Sequence, residues 1–580
     1  MVQQLLHIII ISAICIIWGL PSYFFLKRSH SEESWYGKGV SIFIFLFFSG
    51  LFSLAVLSSW LVLLIPLKFY YLLIATVLLL LVLPFFCKRT TALLYQHLRI
   101  KENITLFQYV FVISCILLFI ILGSQKSVNI DTQLYHLQII RWTNEYGTVP
   151  GLVNLYPRLG LGSNWFNLIS LFHIPAFNHQ NFTFLNSTTT IWFLLWLMSK
   201  WRYYYKLDDT KPHARTFIMF YFLLILYFLF DWQLFRDTAN STSYDFIVAA
   251  LTIAVISFIT EGIFTDKKND FSLVLIILSL LIIPFKLSGL FILIPVLFYL
   301  VNFRNKSVWL KSFLAGCIIL FPLFARNYII TGYPLFPSTL TVGSPEWQLP
   351  KEMALKFKEY IFYVNKFYDQ QIGFIFAYDK TTFNWIPFWI GSILIKHKIL
   401  FILSSLSFLL FYYNPHSQIK HTKIRLFIIS LWLMVAGWFF TAPDPRFALG
   451  FLLFLAFFPL SFFVGKYIPF KKISDLVFSI TTLIILTYTI KKSEPLFKQP
   501  RFLYHVVNSD MPPFQTAIIN DVTFNTPEKI NANWNNRCFF IPLPCICETN
   551  PFVQPRNKNI RKGFMMKPIP DSIFIQNYNY

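Results

Sequence analysis

Charge is scarce in this chain. Only 13% of its 580 residues are Asp, Glu, Lys or Arg, where a soluble protein carries about 25%. That leaves too little polar surface to face water all round and excludes a soluble globular fold. Cysteine is sparse too, at seven residues, which excludes a dense disulfide framework. Cys15, Cys87, Cys115 and Cys317 lie in or at the ends of apolar runs and read as small hydrophobes. Cys538, Cys545 and Cys547 share the tail, where an exported compartment would permit one disulfide. They have no nearby histidine and so lack a zinc-ligand spacing. There is no Walker loop, dinucleotide glycine motif, His-Glu-x-x-His or Gly-x-Ser-x-Gly, so ATP-driven transport and the common hydrolases lack support. No repeat of fixed period and no low-complexity linker stands out.

What the chain has is apolar sequence: 56% hydrophobic residues and a mean hydropathy of +0.58. Runs such as Ile42–Ile65, Phe217–Phe230 and Phe447–Val464 recur at the length that crosses roughly 30 Å of hydrocarbon. Leu5–Leu20 resembles a signal-peptide core, but its basic residues, Lys27 and Arg28, follow it rather than precede it, so it reads as a retained first span. The spacing predicts an all-α, polytopic integral membrane protein with about fourteen transmembrane helices. These fall near 4–26, 40–65, 69–87, 107–123, 183–199, 216–231, 244–262, 271–283, 288–302, 309–325, 399–413, 425–441, 447–465 and 473–490.

The net charge of +23 does not point to nucleic acid, which would need the charge on one face. It falls instead in short gaps on alternate sides. The seven gaps assigned inside hold 23 of the 49 Lys and Arg residues, as the positive-inside rule expects. Both termini then lie outside. The expected organisation is an N-terminal transmembrane module (1–105), a core (106–490) with long outer loops 125–180 and 327–383, and an extracytoplasmic tail (491–580) forming a small lobe. Glu352–Lys366 alternates apolar and basic residues at helical spacing and reads as a surface helix. Asn384–Ile395, with Trp385 and Trp389, reads as an interfacial segment rather than the start of a span in which Lys396 and Lys398 snorkel.

The chemistry concentrates in the outer loops. In Asn129-Ile-Asp-Thr-Gln-Leu-Tyr-His, Asp131 sits at the membrane mouth, where a carboxylate is costly unless used or paired. On a helix starting there, Asp131, Tyr135 and Gln138 share a face, and His136 joins them only if the helix bends. The alternative is that Asp131 caps the helix through the Gln133 and Leu134 amides. Arg158 stands in an apolar context, to bind phosphate or to pair with Glu145. Lys286 would snorkel or meet a lipid pyrophosphate, and Arg236 and Arg326 would form local pairs or line the pocket. Asp444 before Pro445 fits an N-cap. Arg446 opposes the helix dipole there and should have an anion to hold.

A carboxylate in the first long outer loop, with Tyr135-His136 beside it, resembles the GT-C class of membrane glycosyltransferases. Arg326-Asn-Tyr-Ile-Ile-Thr-Gly-Tyr-Pro-Leu-Phe-Pro resembles the Arg-Asn…Thr-Gly-Asn-Pro…Pro run of bacterial members. Ala442-Pro-Asp-Pro-Arg-Phe resembles their Pro-Arg-Phe/Tyr element. The likeness covers about residues 105–465, and three spans precede the one leading to Asp131, where the class usually has one. The pattern is also similar to that of bacterial multi-spanning glycan-assembly proteins. The resemblance implies an inverting transfer of sugar from a polyprenyl-phosphate donor to a glycan or lipid acceptor, outside the bacterial inner membrane. Asp131 would deprotonate the acceptor or hold a divalent cation, Mg or Mn, that does so. Tyr135, His136, Arg158, Arg236, Lys286, Arg326 and Arg446 would bind substrate, one carboxylate among several cations. A polymerase or ligase of surface glycan would use the same kind of site. A transporter or flippase is the reading from another class; it would place its charges at the bilayer midplane.

Overall fold

The computed structural model describes residues 1–27, 40–98, 106–125, 127, 129–177, 182–207, 213–231, 234, 238–265, 272–300, 306–367, 383–411, 421–464, 470–498, 511–528, 537–546 and 552–567. Up to Lys498 their regular structure is helical. The α-helices are α1 (Val2–Lys27), α2 (Val40–Leu61), α3 (Phe69–Leu98), α4 (Leu106–Gly123), α5 (Leu137–Glu145), α6 (Asn164–Leu171), α7 (Phe184–Leu207), α8 (Ala214–Phe230) and α9 (Asp245–Thr265). They continue as α10 (Ser272–Phe285), α11 (Leu293–Leu300), α12 (Lys306–Thr331), α13 (Lys351–Val364), α14 (Trp385–Ser392), α15 (Ile395–Ser405), α16 (His421–Thr441), α17 (Pro445–Val464) and α18 (Phe470–Lys498).

Among the described residues, seven helices are long and apolar enough to cross a membrane: α1, α2, α9, α12, α16, α17 and α18. An eighth would be the broken pair α14 and Ile395–Leu410, which turns by 111°. The count of about fourteen exceeds this for a physical reason. Other expected spans fall on apolar helices that are short, such as α10 with 14 residues, about 21 Å against roughly 30 Å of hydrocarbon. The expected span 183–199 falls on α7, whose first half buries Asn186, Ser187, Thr188, Thr189 and Thr190. Their hydroxyls, from Thr188 to Thr190, return to backbone carbonyls one turn earlier at 2.8 Å. A helix can be buried in this way without being apolar.

The all-α expectation gives way in the tail. There β1 (Phe514–Ile519) pairs antiparallel with β2 (Val522–Pro527), and β3 (Val553–Pro555) with β4 (Phe564–Met566). Cys538 and Cys545 form a disulfide; Cys547 lies outside the described residues. The tail packs on the segment that follows Asp131. Arg141 Nη1 donates to the Ile541 carbonyl at 2.6 Å and Gln138 Nε2 to that of Phe539 at 2.9 Å.

The bundle centre is formed by α9 and α17, which pack on each other and bury 78% of their span residues. Their N-termini, carrying Asp245 and Arg446, lie at the same end, and the loops bearing Asp131 and Lys286 meet them there.

Candidate functional site

The Asp131 segment is wound as a π-turn, Thr132–His136, before α5 begins. Hydrogen bonding from i to i+5 widens the turn, so the residue five positions on returns toward the starting face. This brings His136 in beside Tyr135, their rings 4.4 Å apart. Gln138 is carried away to the tail. The shared face of Asp131, Tyr135 and Gln138 is therefore replaced by one of Asp131, Tyr135 and His136.

Asp131 does not cap this turn: its side chain makes no capping bond. Asn129 does that work, its Oδ1 accepting from the Thr132 amide at 2.8 Å and the Thr132 hydroxyl at 3.0 Å. The Asp131 carboxylate is left one-third exposed, 3.7 Å from Arg446 Nη1. The turn is pinned to the loop before α9, because Thr132 Oγ1 accepts from the Thr242 amide and hydroxyl at 3.2 Å. Thr242 Oγ1 also lies 3.3 Å from His136 Nδ1.

Asp444 caps α17 as the sequence implies, its Oδ1 accepting from the Arg446 amide at 2.9 Å. Its Oδ2 also receives Arg446 Nε at 3.0 Å and Nη2 at 2.7 Å. The anion expected for Arg446 is thus Asp444 on one side and Asp131 on the other. The turn is set by two indoles: Trp389 Nε1 donates to the Pro443 carbonyl and Trp438 Nε1 to that of Asp444. Trp385 and Trp389 are buried in the protein, which replaces the headgroup setting expected for them. Lys396 pairs with Asp231 at 2.7 Å.

Lys286 is not at the surface. Its Nζ lies 2.5 Å from Asp245 Oδ1 and 3.0 Å from the centre of the Phe447 ring. The site therefore joins three carboxylates to three cations (Asp131, Asp245 and Asp444 with Arg158, Lys286 and Arg446), not one carboxylate to many. Glu145 is held by Arg141 at 3.2 Å, which removes it as a partner for Arg158. Arg158 Nη2 donates to Tyr360 Oη at 2.7 Å, and its guanidinium lies 5.9 Å from the Tyr135 ring centre. Tyr360 comes from α13, the amphipathic helix expected at 352–366, whose inner face is Met353, Ala354, Phe357 and Tyr360. Arg326 is 3% exposed. Its guanidinium fills the space of an absent side chain: a Cβ on Gly162 would stand 1.4 Å from Nη1. Arg326 Nε has no acceptor among the described residues. Arg236 lies outside the described residues. No group of three His, Cys, Asp or Glu side chains among those described is spaced to hold a metal.

Burial holds His136 down to about pKa 4, against the pull of Asp131 and Asp245. The ring is neutral in the folded protein while an unfolded histidine titrates near 6.5. Stability is then complete above pH 6.5 and falls as pH drops toward 4, since the unfolded chain binds the extra proton. His136→Gln should flatten that part of a thermal-stability profile between pH 7 and 4.5; an unchanged slope would place the titration elsewhere.

A family model described as a domain of unknown function, DUF8201, matches residues 1–453. The chain belongs to that family. No curated protein and no solved structure matches it. In this DUF8201 chain the match takes in the whole cluster, Arg446 included, and stops within α17, ahead of α18 and the tail. Asp245, Tyr244 and Tyr360 were not among the residues singled out from sequence. Asp245 was within reach, because it opens an apolar run as Asp131 closes one, and a carboxylate at a membrane mouth needs a partner.

Proposed function

We propose that this protein is a GT-C-type membrane glycosyltransferase. It would sit in the bacterial inner membrane as a multi-pass protein and move a sugar from a polyprenyl-phosphate donor to a glycan or lipid acceptor on the outer face. The observation that carries the reading is Asp131: a carboxylate excused from capping, part-open, and set among Arg446, Tyr135 and His136. In this reading Asp131 takes the proton of the acceptor hydroxyl. Arg446, already neutralised by Asp444, turns its remaining edge to the developing charge of the leaving phosphate. Arg158 and Arg326, whose Nε has no acceptor among the described residues, stand ready for the donor's phosphate oxygens. The test is sugar transfer by the purified protein in vesicles, from radiolabelled polyprenyl-phosphate sugars to extracted envelope acceptors. No product from any donor, with lipid-linked sugar instead crossing the vesicle membrane, would return the protein to transport.

The reading also needs one outer face. Single cysteines at exposed Ile130, Val342 and Thr441, in a chain without native cysteines, should all react with a membrane-impermeant thiol reagent in intact cells. Protection at any one, relieved on permeabilising, would split the site across the membrane.

A further inference from the structure

The end of the bundle away from Asp131 holds a cavity of about 300 Å³ between α4, α7 and α18. Its walls include Gln108 near the start of α4, Trp201 and Tyr205 in the last turns of α7, and Asp475 and Phe478 early in α18. Along α7, Trp201 is about 22 Å from Asn186, whose Nδ2 donates to the Ser243 carbonyl beside the candidate site. The cavity is therefore separate from that site.

Three observations concern its contents. Asp475 is an exposed carboxylate whose described side-chain contact is the Tyr205 hydroxyl at 3.5 Å; among the described residues it has no ion pair. Trp201 is 1% exposed, yet its Nε1–H finds no acceptor among the described residues. Its ring stands edge-on to Phe478 at 4.9 Å and tilted to Tyr205 at 5.0 Å. Above the cavity, Ile113 and Leu117 of α4 and Ile480 and Leu483 of α18 are exposed, an apolar track leading away from it.

We propose that this cavity binds the headgroup of a zwitterionic phospholipid carrying a primary ammonium, its acyl chains lying along α4 and α18. A carboxylate beside aromatic faces suits an ammonium, and the N–H groups of a primary one can donate to Asp475. A quaternary ammonium would keep the rings but lose that bond. The indole N–H, a donor only and without an acceptor among the described residues, would turn to the phosphate or ester oxygens, which the ammonium alone does not supply. A purely anionic headgroup would bring its phosphate toward Asp475, which has no cation paired to it among the described residues. The same headgroup exists in water-soluble form; the apolar track favours the lipid.

The experiment is native mass spectrometry of the full-length, delipidated protein offered equal amounts of phosphatidylethanolamine, phosphatidylcholine and phosphatidylglycerol. The wild type should retain the ethanolamine lipid by about tenfold over the others, as one charge-assisted hydrogen bond allows. Asp475→Asn, at an exposed position, should erase the preference, and Trp201→Phe should weaken retention several-fold. Equal retention of the three lipids, or an undiminished preference in Asp475→Asn, overturns the proposal. Displacement of the lipid by the same concentration of glycerophosphoethanolamine overturns the lipid assignment in favour of a soluble amine.

Discussion

Asp131→Asn should lower the initial rate of sugar transfer by at least about 100-fold, the lower end of what a positioned general base contributes, and leave the melting temperature nearly unchanged. The separation of the two effects follows from the local bonding. Asn129, not Asp131, satisfies the Thr132 amide at the start of the π-turn, so the turn keeps its cap. Arg446 keeps Asp444 at 2.7 Å, so removing the Asp131 charge orphans no cation. The 3.7 Å contact between Asp131 and Arg446 is part-exposed and of the kind worth at most about 1 kcal/mol. Asp131→Glu should recover part of the rate because it keeps a carboxylate on a longer arm. Full activity in Asp131→Asn would sink the assignment. Activity lost together with a fall of many degrees in melting temperature would make Asp131 a structural residue instead.

The helices were legible because length and hydropathy report them directly: among the described residues every expected span falls on helical structure, and the amphipathic stretch from Glu352 is the helix α13. Counting them as crossings was not safe, because burial inside a bundle and burial in lipid leave similar apolar runs. Ser272–Phe285 is apolar yet short, and Phe184–Leu207 is long yet rich in buried hydroxyls. At the site, the cap on α17 could be read from Asp444-Pro445 because capping is local. Pairings between distant segments could not. Lys286 meets Asp245 across 41 residues, and Arg158 meets Tyr360 across 202. The π-turn was also hidden. Nothing in Thr-Gln-Leu-Tyr-His dictates it, and the Thr132–Thr242 contact that accompanies it is tertiary.

The pair Lys286–Asp245 should govern stability as Asp131 is expected to govern rate. Its side chains are 11% and 20% exposed, and removing one partner of a buried pair costs about 3–5 kcal/mol because the other charge stays behind. The two single variants should not be equal. In Asp245→Asn the ammonium keeps the Phe447 and Tyr244 rings, at 3.0 and 5.3 Å, and the longer-range pull of Asp444, which the repulsion of Arg446 offsets, with no described carboxylate within ion-pair distance. In Lys286→Met the carboxylate that remains still feels Arg446, so the loss should be smaller. The double variant Asp245→Asn/Lys286→Met leaves no orphan charge and should recover most of the melting temperature, a coupling that thermal unfolding in one detergent can measure. Additive losses would mean that the two side chains are stabilised separately. The rate of the double variant then carries the functional information. If the pair only ties α9 to the end of α10, activity returns with stability. If the Lys286 ammonium is drawn off Asp245 by the donor's phosphate, the double variant folds, melts near the wild type and transfers no sugar.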